Sequence, residues 1–283
     1  MTKKVGIFVR LAKHKRVFQI TDSTAGKIRS LIIPLVLLLG WESLSASGAV
    51  SSVFLPGPVA VIGALAKQLT TGTLIANLVP TMQRYVLGFT LSCVFGIPIG
   101  LLCGVSARVR GYINAALEFL RPIPPIALIP VLILWLGIGN ASKVAIVAYG
   151  AFWPIWLNTM LGVQEIPVLL RRSARVMGIH GTRYFTKVAL PAALPKILAG
   201  VRISAAIALI VVIAAEMIEA TSGIGYEIVN SEQTFHLANM LAYIVVISVV
   251  GYIVNGVLRL VEHRVYAGRG LSDISIENLE LGA

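Results

Sequence analysis

Long apolar runs alternate with short polar segments along the 283 residues of the chain. A helix needs roughly 20 predominantly apolar residues to cross a bilayer, and several of these runs reach that length. Six transmembrane helices are predicted: at about residues 31–49 and 85–105, in the segment that follows residues 121–125 and ends near residue 137, and at about residues 143–161, 197–215 and 240–258. The pattern predicts an all-α, polytopic membrane protein. Its transmembrane domain covers residues 31–260, between a basic N-terminal segment (1–30) and a C-terminal tail (261–283).

Two of the predicted spans contain residues that bear on helix packing. The second span carries the glycines Gly88, Gly96, Gly100 and Gly104. Small residues at four-residue spacing let two membrane helices approach closely, so a packing face is expected here. In the fourth span, Trp153 and Trp156 flank Pro154. That combination is typical of a kinked helix with aromatic side chains at the membrane interface.

The third span begins with the sequence Arg121-Pro122-Ile123-Pro124-Pro125. Prolines at this density are incompatible with the interior of an ordinary helix, because they lack the backbone N–H. Broken backbone inside a membrane is tolerated where protein or a water-filled cavity covers it. Two interpretations therefore remain open: a kink at the start of the helix, or part of the wall of a pathway through the membrane.

The longest strongly polar passage between the apolar runs covers residues 163–194. Helical periodicity places six residues on one face of a helix: Ile166, Leu169, Leu170, Ser173, Ala174 and Met177. Arg171, Arg172 and Arg175 fall on the other faces. Gly178 stands where a helix-terminating glycine belongs, since glycine adopts left-handed backbone conformations at little cost.

A second short helix is expected directly after this turn. Thr182 is predicted to cap it, and Lys187 to end it. Pro191 disfavours helical geometry at Leu190, so a break is expected there before the fifth span. Residues 163–194 are therefore predicted to form a compact helix–turn–helix loop outside the bilayer.

Composition and charge set the topology of the chain. Hydrophobic residues make up 57% of the sequence, charged residues 13%, and the mean hydropathy is +0.87. The net charge of +12 would suggest nucleic acid in a soluble protein, but no basic groove with interleaved aromatic residues is present. Nineteen Lys and Arg lie in residues 1–30, in the loops 106–111 and 163–196 and in the stretch from Arg259 onward, against two on the opposite side. The positive-inside rule therefore predicts cytoplasmic termini and a cytoplasmic 163–194 loop.

No enzyme signature is present in the sequence. It lacks the phosphate-binding GxxxxGK[ST] motif, HExxH, GxSxG and cysteines at zinc-ligand spacing. No catalytic residue, metal site or bound cofactor is therefore predicted for this chain. The acids Glu42, Glu118 and Glu216 fall towards or beyond the ends of the predicted spans, and Glu42 is better explained as an interfacial carboxylate than as an ion site. A transporter driven by an ion gradient usually has ionisable sites near the midplane, so energy supplied by another subunit fits better.

The central loop resembles the signature loop of the permeases of binding-protein-dependent ABC importers, EAA-x3-G-x9-I-x-LP. The matching positions are Arg172, Ser173, Ala174, Gly178, Val188, Leu190 and Pro191. Residues 55–260 are also similar to the nitrate/sulfonate/taurine branch of these permeases, through stretches such as LPGPVAVIGAL, LRPIPPIALIPVLILWLGIG and AEMIEATSGIGY. Arg172 stands where the family has glutamate, and Ser173 where it has alanine, so a salt bridge through that glutamate cannot form here.

The resemblance implies a MetI-like ABC importer permease fold in the bacterial inner membrane. It also implies a second permease copy, two cytoplasmic ATPase subunits that bind ATP and Mg, and an extracytoplasmic substrate-binding protein. The loop would then be the coupling helix seated on the ATPase, with Met177 among its contact residues. The expected function is the permease subunit of an ATP-driven importer for a small oxyanion such as a sulfonate, taurine or nitrate.

Candidate pathway or gate residues are Arg121, Pro122, Pro124 and Glu216. Two other functions remain open from the residues alone. An ATP-independent secondary transporter or channel would work in liposomes under an ion gradient. A membrane scaffold or sensor would bind a partner and move nothing.

Overall fold

The structure is a computed structural model that describes residues 24–267, with side chains from residue 32 to residue 265. The described residues form helices and turns and contain no β-strand. The first five α-helices are α1 (Thr24–Ala46), α2 (Pro58–Thr70), α3 (Thr73–Val105), α4 (Ala107–Leu120) and α5 (Ile129–Leu136). The others are α6 (Asn140–Gln164), α7 (Val168–Val176), α8 (Gly181–Tyr184), α9 (Leu190–Glu219), α10 (Ile224–Gln233) and α11 (Leu237–Ala267).

The chain divides into two compact units, with the boundary between Ile62 and Gly63. In the first unit, α1 contains Glu42, whose carboxylate accepts a hydrogen bond from the Val59 N–H at 3.2 Å. Val59 lies in the first turn of α2, where backbone N–H groups have no partner within the helix. Glu42 therefore caps α2. Most of the basic segment 1–30 lies outside the described residues.

Helix α6 lies at the centre of the second unit, between α3 and α9. The small-residue face predicted on α3 packs against it. A Cβ atom added at Gly88, Gly96, Gly100 or Gly104 would come within 3.0 Å of Val147, Ile155, Thr159 or Val163 respectively. The offset in residue number is the same for all four pairs, so α3 and α6 run parallel and in register. Ser92, buried between these glycines, completes the stripe of small residues.

Helix α9 packs antiparallel to α6 on its other side. A Cβ atom at Gly200 would lie 2.7 Å from Cβ of Asn158, and one at Gly150 would lie 3.0 Å from Val211. The side chains of Trp153 and Trp156 pack against residues of α3 and α4, among them Cys103 and Ile113, so Trp156 is fully buried and Trp153 nearly so. The two side chains expected at the membrane interface are therefore covered by protein rather than exposed on the helix surface.

The structure does not reproduce the predicted count of six transmembrane helices. Within the described residues, four helical stretches are long and apolar enough to cross a membrane: Thr73–Val105, Asn140–Gln164, Gly181–Glu219 and Leu237–Val265. Helix α1 has 23 residues, and the part of it with described side chains, Ile32–Ala46, is apolar. The spans are also longer than predicted, since prolines inside membrane helices are tolerated when neighbouring helices satisfy the freed backbone groups.

The third predicted span is a broken one. Helix α4 and the segment Pro125–Leu136 form a pair bent by 85°. Pro124 is extended, and a 3₁₀ turn, Pro125–Leu128, precedes α5. The break follows from the missing proline N–H groups, as the sequence indicates. Since α3 and α6 run parallel, this bent pair returns the chain from the end of α3 to the start of α6.

Candidate functional sites at the two ends of the helix bundle

The central loop contains the predicted amphipathic helix, α7. Gly178 follows it with φ +68°. The Ile179 N–H donates to the Ala174 carbonyl at 2.9 Å, and the Gly178 N–H donates to the Arg175 carbonyl at 3.1 Å. This hydrogen-bond pair is the Schellman motif, which requires a left-handed residue at the position of Gly178. The predicted helix stop at Gly178 is confirmed.

The second half of the loop differs from the prediction. Thr182 lies inside α8 and does not cap it, and the π-helical segment Phe185–Ala189 leads directly into α9. Leu190 has helical angles, φ −64° and ψ −47°, so the break predicted at this residue is wrong. A π-helical turn directly before Pro191 changes the hydrogen-bond register, which lets the helix continue past a residue without an N–H.

The loop helix α7 shows much of its apolar surface. Ile166 and Ala174 are buried, whereas Leu169 is 76% exposed and Val176 is 89% exposed. Among the residues of the loop signature, Arg172, Ser173, Met177 and Gly178 are exposed, Ala174 is buried, and Val188, Leu190 and Pro191 are half-buried. The face predicted from periodicity is therefore divided: Ile166 and Ala174 are buried, whereas Leu169 and Met177 are exposed and free to bind a partner.

Two polar contacts fix the loop to the end of the bundle. The Arg171 guanidinium donates to the carbonyl oxygens of Val163, at 3.3 Å, and of Gln164. These are orphan carbonyls at the C-terminus of α6, where a cation is favourable. Glu165 also forms an ion pair with Lys196 of α9. Periodicity grouped Arg171 with the outward-facing arginines, and no signal in the sequence distinguishes it from Arg172.

A buried ion pair lies at the other end of α6. The Arg84 Nη1 atom of α3 is 2.6 Å from Oε1 of Glu216 on α9. Arg84 is 5% exposed and Glu216 1%. Arg84 also donates to Asn140 Oδ1 at 2.8 Å and to the Ser222 carbonyl at 2.7 Å. The pair thus joins α3, α6, α9 and the segment that follows α9.

The second carboxylate oxygen of Glu216 is satisfied as well. It accepts from the Thr81 hydroxyl at 2.8 Å and from the Gly225 N–H at 3.0 Å. Two glycines make room for this carboxylate. Gly223 has φ +119°, and a Cβ atom there would lie 2.5 Å from Glu216, while a Cβ atom at Gly225 would lie 2.5 Å from the Ile213 carbonyl. The close packing against Glu216 and the end of α9 therefore requires the two glycines of the sequence SGIGY.

The four candidate gate residues do not form one group. Arg121, Pro122 and Pro124 are exposed on the break between α4 and α5. That segment is held by the Tyr149 hydroxyl, which donates to the Leu120 carbonyl at 2.7 Å. The contacts of Glu216 come instead from α3 and from residues 223–225. In the part of the chain that the structure describes, no group of three or more His, Cys, Asp or Glu side chains is arranged to hold a metal ion.

Apolar helices of membrane-spanning length, with a structured polar loop at one end, define a polytopic membrane protein. Residues 96–266 match the family described as "Binding-protein-dependent transport system inner membrane component". This match covers more than half of the chain, which therefore belongs to that family. The chain is an ABC transporter permease rather than an enzyme.

Similar proteins agree on this class. The putative aliphatic sulfonates transport permease SsuC of Bacillus subtilis (strain 168) is 34% identical, covering 86% of this chain and 88% of its own. The taurine transport system permease TauC of Escherichia coli (strain K12) is 31% identical, with 83% and 87% covered. The bicarbonate transport system permease CmpB of Synechococcus elongatus is 29% identical, with 81% and 87% covered.

The fold is also similar to a solved structure. An inward-facing form of the MetNI methionine ABC transporter matches with a TM-score of 0.60 and 21% identity, covering 68% of this chain and 95% of that one. The predicted MetI-like permease fold is confirmed. The resemblance found in the central loop is confirmed as well, although Arg172 and Ser173 depart from the family signature.

Proposed function

We propose that this protein is the permease subunit of an ATP-driven importer for a small oxyanion, with sulfonates as the leading substrate class. The observation that carries this proposal is the loop 163–194. It is a structured element at one end of an apolar bundle, anchored by Arg171 and the Schellman motif, and it exposes apolar and cationic side chains. A partner that binds this surface can move the helices to which it is fixed.

The proposed complex contains a second permease copy, two ATPase subunits that bind ATP and Mg, and an extracytoplasmic binding protein. The charge distribution supports a cytoplasmic loop and cytoplasmic termini, because Lys and Arg are concentrated in those segments. Closure of the ATPases on ATP would then act on α6 and α9 through α7. Such rigid-body switching between two states is a common basis for transport cycles.

The substrate class is supported by the relatives named for aliphatic sulfonates and taurine. Sulfonate, nitrate and bicarbonate are small anions whose negative charge is spread over several oxygen atoms. Such groups are bound by cationic and hydrogen-bond-donating side chains.

Transport by the reconstituted complex tests this function. The permease, its ATPase and its binding protein are placed in liposomes that contain ATP, and uptake of radiolabelled taurine and alkanesulfonates is measured. Uptake is expected only with hydrolysable ATP and with all components present. Uptake that depends on an ion gradient and proceeds without ATP would identify a secondary transporter instead.

The turn at Gly178 gives a second test. Gly178→Val is expected to reduce ATP-dependent uptake at least tenfold, because a β-branched residue disfavours φ +68° and displaces the C-terminal end of α7. The measurement compares uptake and ATP hydrolysis in the same vesicles, and hydrolysis is expected to persist or fall less than uptake.

Gly111→Val is the matched control for this variant. Neither glycine has an atom within 4 Å of an added Cβ, but only Gly178 has a positive φ. The control should transport as the wild type does. Equal uptake by both variants would show that the left-handed turn has no part in coupling.

A further inference from the structure

A polar cavity of about 340 Å³ lies beside the buried ion pair, at the N-terminal end of α6. Its polar lining includes Arg84, Asn140, Lys143, Glu219, Thr221 and Ser222. Pockets for small ligands range from about 300 to 1,000 Å³, so this space is large enough for a small organic anion. It lies at the end of the bundle opposite the loop 163–194, which on the proposed orientation is the extracytoplasmic end.

Lys143 is the unusual residue of this cavity. It is 5% exposed, and its Nζ atom donates to the Gly139 carbonyl at 3.1 Å. In the described part of the chain, the ion pairs within 4.0 Å are Arg84–Glu216, Lys196–Glu165 and Arg202–Glu262, so no carboxylate pairs with Lys143 at that distance. A buried charge is costly unless it is paired and hydrogen-bonded. An ammonium group has three donors, and Lys143 uses one of them on this carbonyl.

The other charges of the cavity are arranged differently. Arg84 is neutralised by Glu216, and its three nitrogens donate to Glu216, Asn140 and Ser222. Glu219 is exposed at the cavity, and its carboxylate attracts the Lys143 ammonium without coming within 4.0 Å of it. Of the two cations that line this cavity, Lys143 is therefore the one with N–H donors still available to a ligand.

The position of Lys143 on α6 adds to the positive potential. Lys143 lies in the first turn of this 25-residue helix, which has no side-chain cap at its N-terminus. The N-terminal end of a helix carries a partial positive charge, so a lysine is unfavourable there unless an anion is also present. The buried ammonium and the helix terminus are separate observations, and both favour an anion in the adjoining cavity.

We propose that this cavity binds the oxyanion group of the transported solute, with the Lys143 ammonium as the principal contact. The inference rests on the proposed function and names a binding site for that substrate class. The Ser222 hydroxyl accepts a hydrogen bond from Arg84, which leaves its own hydrogen available to a ligand oxygen. Glu219 repels an anion and weakens binding, and a site on a transport pathway has to release its ligand.

Anion binding to the full permease–ATPase complex, without the binding protein, tests this site. The probe is methanesulfonate, with the neutral dimethyl sulfone as a control of nearly the same shape, and binding is followed by titration calorimetry. Lys143→Gln is expected to weaken methanesulfonate binding roughly tenfold or more, because hydrogen bonds to charged groups are the stronger ones. Lys143→Arg should keep most of the affinity, and Lys67→Gln, which removes an exposed lysine outside this cavity, should change nothing.

Two results would overturn the site: equal binding of methanesulfonate by the wild type and Lys143→Gln, or equal binding of methanesulfonate and dimethyl sulfone by the wild type. If Lys143→Gln does not fold, Glu219→Gln carries the test. This exposed acid lines the same cavity, so its neutralisation is expected to tighten methanesulfonate binding severalfold, and unchanged affinity contradicts the proposal. ATP-dependent uptake by the wild type, measured separately, distinguishes failure of this site from failure of the proposed function.

Discussion

Glu216→Ala is expected to lower the free energy of unfolding by about 3–5 kcal/mol, which is the usual effect of removing one partner from a buried ion pair. The variant removes the carboxylate that lies 2.6 Å from Arg84 and leaves the guanidinium buried without a counter-charge. It also leaves the Gly225 N–H without its acceptor, whereas the Thr81 hydroxyl keeps the Asn77 carbonyl at 3.1 Å. Equilibrium unfolding of the detergent-solubilised protein measures the change.

The control for this variant is Glu232→Ala, which removes an exposed acid of α10 that does not line the cavity beside the ion pair. It should alter stability by less than about 0.5 kcal/mol, as is usual for surface substitutions. The double variant Arg84→Met/Glu216→Ala should lose clearly less than the sum of the two single changes, because it no longer buries an unpaired charge. Additive losses would show that the two side chains stabilise the fold independently.

Gly100→Ala is expected to destabilise the protein by about 1–3 kcal/mol, the usual effect of overpacking a close contact. A Cβ atom at this position would lie 2.7 Å from both the Trp156 carbonyl oxygen and Cβ of Thr159. One of these neighbours is backbone and the other is attached directly to it, so neither can rotate away. The helices α3 and α6 would have to separate. The same unfolding measurement detects the loss.

Gly256→Ala provides the opposite expectation. Gly256 lies in α11, and no atom is within 4 Å of an added Cβ. Alanine is the better helix former by about 1 kcal/mol, so this variant should be as stable as the wild type or slightly more stable. Equal destabilisation of both variants would show that the contact between α3 and α6 is not the cause of the loss, because Gly256 has no such contact.

The two proposed sites are joined by one continuous helix, α6. Lys143 and Arg84 lie at one end of the bundle, while the anchor of Arg171 is at the C-terminus of α6. The helix between Lys143 and Val163 is roughly 30 Å long at 1.5 Å per residue. Arg171 binds the loop to the C-terminus of α6, and the N-terminus of α6 lines the proposed oxyanion cavity. A partner that displaces α7 would therefore also move α6 and change the cavity.

The sequence by itself determined the features that depend on neighbouring residues. The apolar spans, the stop at Gly178 and the small-residue face of α3 all follow from interactions within about four residues along a helix. The signature of the loop likewise consists of particular residue types at fixed spacing. The resemblance to the family can therefore be found from the sequence, although Arg172 departs from the signature. These features were confirmed, apart from the number of unbroken spans and the break expected at Leu190.

Tertiary structure alone decided which polar residues meet. Arg84 and Glu216 are 132 residues apart in the sequence, and nothing in either neighbourhood indicates a partner. Arg171 and Arg172 have the same charge and adjacent positions, yet one caps α6 and the other is exposed. The energy of a charged group depends on its distance from other charges and on its separation from water. Both quantities are set when helices pack, so they cannot be read from periodicity or local spacing.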